Sequence, residues 1–301
     1  MEQKFNSIKN ALKETFGEGT EITKKSSVFG GDINDSYKMT LSSGETVFLK
    51  TNSVANFDFF TAEAEGLRAL SLTKEIGVPA ILGKGIDKEM GCSFLLLEYI
   101  ESSHKTKEFW ENFGHQLGGL HKADCRQLET TAQKDIHFGF VNDNYIGRNE
   151  QKNDFRMKWS DFYRDCRLLP QIRMAKHYLD SKTLNKLNYI LERMEEYVRE
   201  PEFPSLLHGD LWSGNVLCGK ENAAWIFDPA VYIGDFETDL AMTELFGRFP
   251  DTFYRAYHEV NPIDSGYRER KIIYHLYHLL NHLNLFGSAY LASVAETVAA
   301  L

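Results

Sequence analysis

Long hydrophobic runs are missing from these 301 residues. No apolar stretch approaches the ~20 residues that a bilayer-crossing helix needs, which argues against a helical membrane protein. The opening "MEQKFNSIKN" lacks an apolar core, so no signal peptide is expected there. Cysteine is scarce: Cys92, Cys125, Cys166 and Cys218 lie far apart, with no C-x-x-C pair. That disfavours a zinc ribbon or a redox pair and suits reduced, buried thiols in a cytoplasmic protein. Positive charge is in deficit, the net charge being −9. An acidic chain is a poor match for a phosphate backbone, so nucleic acid is not the expected partner. Such a surface suits solubility, and weakly a cationic substrate. Repeats and low-complexity segments are absent. What remains is a globular composition, 43% hydrophobic, long enough for one large domain or two lobes.

Phe5, Ile8, Leu12 and Phe16 recur at helical spacing. "EITKKSSVF", "SYKMTLSS" and "ETVFLKTN" follow as strands of an antiparallel meander, divided by the turn-rich "GGDIND" and "SSGE". "FFTAEAEGLRALSLTKEIG" is helical, with Phe59, Phe60, Glu63, Leu67 and Leu70 near one face and Gly77 as its stop. "AILGKGID" and "CSFLLLEYI" return to strand, and the unbroken run Phe94 to Leu97 predicts burial on both faces. The polar "ESSHKTKE" sets a boundary near residue 101. The remainder is mainly helical: "KEFWENFGHQLGGLHKAD", "KWSDFYRDCRLL", "TLNKLNYILERMEEYV", "TDLAMTELFGRF" and a long stretch from Tyr267 to the end. Its clear strands are "SLL", "NVLC" and "AAWIFD". The plan is α+β and two-lobed: a β-rich lobe over residues 1–100, then a larger helical lobe over 101–301.

Between "SLL" and "NVLC" stands "HGDLWSGN". By composition it is a turn. Asp210 and Asn215, however, have the Asp-x-x-x-x-Asn spacing of a kinase catalytic loop, and Asp228 closes the apolar strand that follows, where kinases place a second metal ligand. A carboxylate and an amide suit Mg²⁺, which takes oxygen ligands. In the first lobe Lys50 ends the third strand. Glu63 on the next helix is placed to orient its ammonium toward phosphates, with Glu65 as the reserve. Gly30 and Gly31 in "FGGDINDSY" offer backbone N–H groups to phosphate, though without a G-x-G-x-x-G pattern. Glu98, Tyr99 and Ile100 offer backbone to an adenine edge. A lone Lys or Glu is ordinarily a solvated surface group. Five such residues in the right order on the right elements point to ATP-dependent phosphoryl transfer.

"PSLLHGDLWSGNVL", "GGDINDSYKM", "FLKTN", "FFTAEAEGLRAL", "FLLLEYIE", "FGFVNDNYIG" and "NHLNLFGSAYL" resemble the fructosamine (ketosamine) kinase family over almost the whole chain. The resemblance implies the two-lobed, protein kinase-like fold of aminoglycoside and choline kinases. It also implies ATP, Mg²⁺, and phosphorylation of sugar–amine adducts at the sugar 3-hydroxyl, after which the amine is released, a deglycation repair. Carried over, Asp210 is the base, Asn215 and Asp228 hold metal, and Lys50 and Glu63 form the phosphate-orienting pair. Trp212 packs on the sugar ring. Asp239 supports the catalytic loop. His282, Asn144 and Tyr145 face the acceptor, although Asn144 and Tyr145 read as a turn by composition. Phe236 departs from the basic residue expected there, and no role is assigned to its loop. His275, His278 and His282 share a helix face, and packing explains them better than a metal. "ERMEEYVRE" reads as a solvated helix face. The competing readings are a kinase of another small alcohol, such as an aminoglycoside or choline, and a nucleotide-binding pseudokinase. A small-molecule partner, no membrane or nucleic acid, and a monomer are expected.

Overall fold

Strand β6, Cys92–Glu98, lies near the middle of a six-stranded sheet, and period-two alternation explains its unbroken apolar run. Phe94 and Leu96 join the core under helix α1, Ile8–Phe16, while Leu95 and Leu97 join the one under helix α2, Phe57–Leu72. The other strands are β1 (Lys4–Phe5), β2 (Ile22–Ser27), β3 (Asp35–Leu41), β4 (Thr46–Ser53) and β5 (Ile81–Asp87). Their order is β1-β5-β6-β4-β3-β2, antiparallel except for the β1–β5 pair. The computed structural model describes residues 4–28, 33–125 and 138–301.

Two boundaries differ from expectation. Phe5 belongs to β1, not to the first helix, which starts after Ser7 caps it by accepting from Asn10 N at 3.1 Å. A two-residue strand carries no period, so the sequence hid it. Helix α2 stops at Leu72 rather than Gly77, because Thr73 Oγ1 donates back to Leu70 O at 2.7 Å and Lys74 turns left-handed at φ 60°.

The second lobe contains α3 (Lys107–Lys122), the hairpin β7 (Asn144–Ile146) and β8 (Asn149–Gln151), and α4 (Trp159–Phe162). A π-helical turn, Tyr163–Leu168, leads to α5 (Leu169–Ala175). Then come α6 (Ser181–Glu192), α7 (Met194–Tyr197), β9 (Ser205–Leu207), β10 (Val216–Cys218), β11 (Ala224–Ile226) and β12 (Tyr232–Gly234). Helices α8 (Glu237–Leu245), α9 (Asp251–Val260), α10 (Tyr267–Phe286) and α11 (Leu291–Ala300) complete the chain. The expected helix through "ERMEEYV" breaks at Arg193, and the long final one breaks at Gly287. "ERMEEYVRE" is not simply a solvated face: Met194 is fully buried, and Glu200 accepts from the N–H groups of Trp159 and Ser160. Helix α9, the β7–β8 hairpin and β12 were not foreseen. Three-residue strands are too short to show alternation.

Arg199 lies against the Phe236 loop. Its guanidinium lies 4.8 Å from the buried Phe236 ring and binds both oxygens of Asp235, each at 3.1 Å. Among the described residues no helix is long and apolar enough to cross a membrane.

Candidate active site

On β4 the alternation that sends Val47 and Leu49 into the α1 core turns Phe48 and Lys50 toward α2. Lys50 is 4% exposed, and its Nζ lies 2.6 Å from Glu63 Oε1. The same ammonium meets the Asp228 carboxylate. Burial pulls the Lys50 pKa down, but Asp228 and Glu63 outweigh it and the net shift is upward. Burial pushes the Glu63 carboxyl up against the pull of Lys50, and Asp228 adds to the rise. Glu65 points elsewhere and accepts from Asn142 Nδ2 at 2.9 Å. That bond and the tilted ring pair Phe59–Tyr145, with centroids 4.1 Å apart, tie α2 to the β7 region of the second lobe.

The glycines of "HGDLWSGN" have separate reasons. Gly209 is left-handed at φ 81°, and a Cβ there would lie 2.1 Å from Ala230 O. At Gly214 a Cβ would lie 2.4 Å from the Trp212 indole, which folds back over the turn. His208 accepts from Asp210 N at Nδ1, 3.3 Å away, and its Nε2 faces Phe227 O at 2.9 Å. These contacts fit a neutral ring protonated at Nε2, in line with a pKa lowered by burial. Asp239 takes the N–H groups of His208 and Gly209 at 2.7 and 2.9 Å. Asn215 Nδ2 donates to Asp210 O at 2.8 Å and to Asp210 Oδ2 at 3.3 Å, which leaves the amide oxygen unoccupied by these contacts. Burial and the Asp228 carboxylate push the Asp210 carboxyl up to about 7.

Asp228 follows β11 and is held left-handed at φ 57°. Asp tolerates that region better than most residues, and such backbone clusters at functional sites. Lys50, Glu63, Asp210, Trp212, Asn215 and Asp228 all line one cleft of about 460 Å³. Among the described residues no group of three or more His, Cys, Asp or Glu forms a metal cage. Two hard oxygen donors, the Asn215 amide and the Asp228 carboxylate, do suit a Mg²⁺ that shares its remaining positions with phosphates.

Tyr145 and His282 line the same cleft. Asn144 lines it too, but its amide is engaged elsewhere. Its Nδ2 donates to Val231 O at 2.7 Å and its Oδ1 accepts from Gln151 at 2.8 Å, so it holds the hairpin in place. Asn144 and Tyr145 are strand residues, not the turn their composition suggested. Gly30 and Gly31 lie outside the described residues. Beyond them, Ile33 and Asn34 line the cleft and are tied to Asn52 Nδ2 at 3.1 and 2.7 Å. Glu98, Tyr99 and Ile100 are not among the residues of this cleft. Glu98 N is engaged by Ala80 O at 2.9 Å, and Lys38 Nζ sits 4.2 Å from the Tyr99 ring. Of the other helix histidines, His275 faces Ala241 O at 2.9 Å, and burial pushes His278 down to about 3. The sequence reading missed Phe246, Phe286, Tyr290 and Arg148 in the cleft wall. Only the four-residue step between His282 and Phe286 on α10 hinted at them.

The sequence profile of the family described as fructosamine kinase matches residues 4–301. The chain is 38% identical over 288 residues to a probable ketoamine kinase of Synechocystis sp., covering 95% of this chain and 92% of the relative. It is 38% identical over 289 residues to the chloroplastic protein-ribulosamine 3-kinase of Arabidopsis thaliana, covering 94% of this chain and 84% of the relative. A crystal structure from Thermobifida fusca, provisionally named as a fructosamine-3-kinase, superposes with TM-score 0.82 at 32% identity and 98% coverage of each chain. An amicoumacin kinase with TM-score 0.57 and 14% identity, over 91% of this chain and 86% of its own, shows the shared two-lobed kinase-like α+β fold alone. The whole-length match and these identities show that the chain belongs to the fructosamine kinase family.

Proposed function

We propose that the chain transfers the γ-phosphoryl group of ATP to a sugar hydroxyl, the 3-hydroxyl, of a ketosamine. One observation carries the reading: Lys50, Glu63 and Asp228 meet in a single cleft with the Asp210–Asn215 pair and Trp212. Lys50 is the phosphate-orienting cation, held by Glu63. Asn215 and Asp228 would hold Mg²⁺, which when bound offsets phosphate charge. Asp210 accepts the acceptor hydroxyl proton, and the Trp212 indole offers its face to the sugar. The protein-ribulosamine 3-kinase name of the Arabidopsis relative supports the acceptor and its 3-hydroxyl. Glu98 to Ile100 remain our candidates for the adenine edge, and residues 1–100 and 101–301 for the two lobes. A cytoplasmic monomer with a small-molecule partner fits the four separated free cysteines and the charge of −9.

A coupled ADP-release assay tests the acceptor, with a ketosamine, an aminoglycoside, choline and free fructose compared side by side. The ketosamine is expected to give the highest kcat/KM, and activity to stop on chelation by EDTA. Trp212→Ala is expected to raise KM for the ketosamine more than for ATP. A tenfold advantage for an aminoglycoside or choline, about 1.4 kcal/mol in transition-state stabilisation, would overturn the acceptor and leave only the kinase.

The pH profile tests the base. Only the ionised Asp210 carboxyl accepts a proton, and its pKa is raised to about 7. At fixed Mg·ATP, kcat/KM is expected to climb as pH rises through about 7 and then to level off. A flat profile from about pH 5 to 8 would remove Asp210 from the rate-determining proton transfer.

A further inference from the structure

The cleft runs past the catalytic loop to a wall that phosphoryl transfer does not use. There His282 is ringed by Phe246, Tyr290 and Phe286, with centroids at 4.4, 5.1 and 5.5 Å. The tip of the β7–β8 hairpin, Gly147 and Arg148, stands at the same wall. It is seated firmly. Gly147 is left-handed at φ 66°, and a Cβ there would lie 2.6 Å from Leu285 Cδ1 on α10. Asn149 Nδ2 donates to Asn281 Oδ1 at 2.8 Å on the other side of Arg148. At its base Gln151 Nε2 donates to Ala230 O at 3.0 Å.

Arg148 is exposed, and among the described residues no ion pair engages it. Its acidic neighbours Asp143 and Glu150 both turn to Lys152, each at 2.8 Å. Among the described residues the only other Lys or Arg lining the cleft is Lys50, which is held by Glu63 and Asp228. The half-buried His282 ring has its pKa lowered by burial, so it adds no lasting charge. In a chain of net charge −9, an exposed guanidinium carried on a firmly seated hairpin tip beside the cleft, and unpaired among the described residues, is suited to an anion. Its planar fork matches a carboxylate bidentately.

We infer that Arg148 is a specificity residue that binds a carboxylate carried on the amine portion of the acceptor. The sugar packs toward Trp212 with its hydroxyl at Asp210, and the amine substituent extends along the aromatic wall to the hairpin tip. The inference rests on the ketosamine reading above. It adds that adducts of amino acids are preferred to adducts of uncharged amines.

The test is steady-state ADP release with matched acceptors. Ribulosamines of glycine and of 4-aminobutanoate are each compared with the corresponding carboxamide, so that only the charge changes. The wild-type protein is expected to favour the acid of at least one pair by about fivefold in kcat/KM, between the worth of an exposed ion pair and that of a charged hydrogen bond. Arg148→Ala is expected to bring that ratio to about one, and Arg148→Lys to keep part of it. Added salt is expected to shrink the wild-type preference. The inference is overturned if the wild type treats acid and amide alike, or if Arg148→Ala keeps the ratio. It is also overturned if Arg148→Ala lowers both members of a pair equally, or shifts KM for ATP as much as KM for the acid. If the wild type phosphorylates none of the four, the ketosamine reading fails and this inference with it.

Discussion

Replacing Asp210 by Asn is expected to lower kcat by about 10²–10⁴ while leaving ATP affinity nearly unchanged. The amide keeps the shape and an oxygen for the 3.3 Å contact from Asn215 Nδ2, so the loop geometry is preserved. What it lacks is a group able to take the acceptor proton. Stability is expected to move the other way. Burial and Asp228 raise the Asp210 pKa from 3.8 to about 7, so the folded chain binds the proton more tightly than the unfolded one. The stabilising contribution of that proton is complete below about pH 4 and is lost as pH rises through about 7. Asn does not titrate. Relative to wild type, the variant's thermal midpoint is therefore expected to gain between pH 4 and pH 8. Single-turnover kinetics with nucleotide titration, and melting curves at the two pH values, check both halves. Turnover within about twofold of wild type would exclude Asp210 as the base.

Asp239→Ala is expected to be the most damaging substitution for folding. Asp239 is 1% exposed and accepts from His208 N, Gly209 N and His121 Nε2, the last at 3.2 Å. His121 Nδ1 lies 2.8 Å from Tyr257 Oη, which in turn accepts from Asn261 Nδ2 at 2.8 Å. The chain of contacts joins the His208–Asn215 loop to α3 and α9. Burial raises the Asp239 pKa, but His121, His208 and the Gly209 N–H outweigh it and the carboxyl stays below its ordinary range. Alanine would leave two loop N–H groups and a histidine without their shared acceptor. Breaking a buried charged network in this way costs about 3–5 kcal/mol, a large part of the about 5–15 kcal/mol that holds a typical domain. Urea denaturation measures that loss, and Asp239→Asn, which keeps the volume and one acceptor oxygen, is expected to lose less. For the molecules that remain folded, kcat is expected to fall because Asp210 hangs from the loop Asp239 secures. A change in stability within about 0.5 kcal/mol, as for an ordinary surface substitution, would show that the loop is held by other means.

How far each part was legible follows from the distance over which its physics acts. The run Phe94 to Leu97 announced a strand buried on both faces, because alternation is a property of neighbouring residues. The meeting of Asp210, Asn215 and Asp228 in one cleft was legible for a similar reason: one loop and the strands beside it place them, and their spacing is local. Glu63 was preferred to Glu65 because two residues on a helix differ by about 200°, and the structure puts Glu63 2.6 Å from Lys50. Contacts between distant parts of the chain left no such trace. Lys50 and Asp228 are 178 residues apart. Asn144 has the composition of a turn residue, and only packing against Val231 and Gln151 made it a buried strut. Arg199 under Phe236, Tyr257 behind His121 and Arg148 at the cleft rim were likewise decided by which elements pack together. Local pattern determined most of the elements and the candidate reacting groups of this protein. Tertiary structure alone decided which polar groups are engaged in holding the fold and which are left facing the cleft, because a hydrogen bond satisfied from a hundred residues away has no signature in the residues around it.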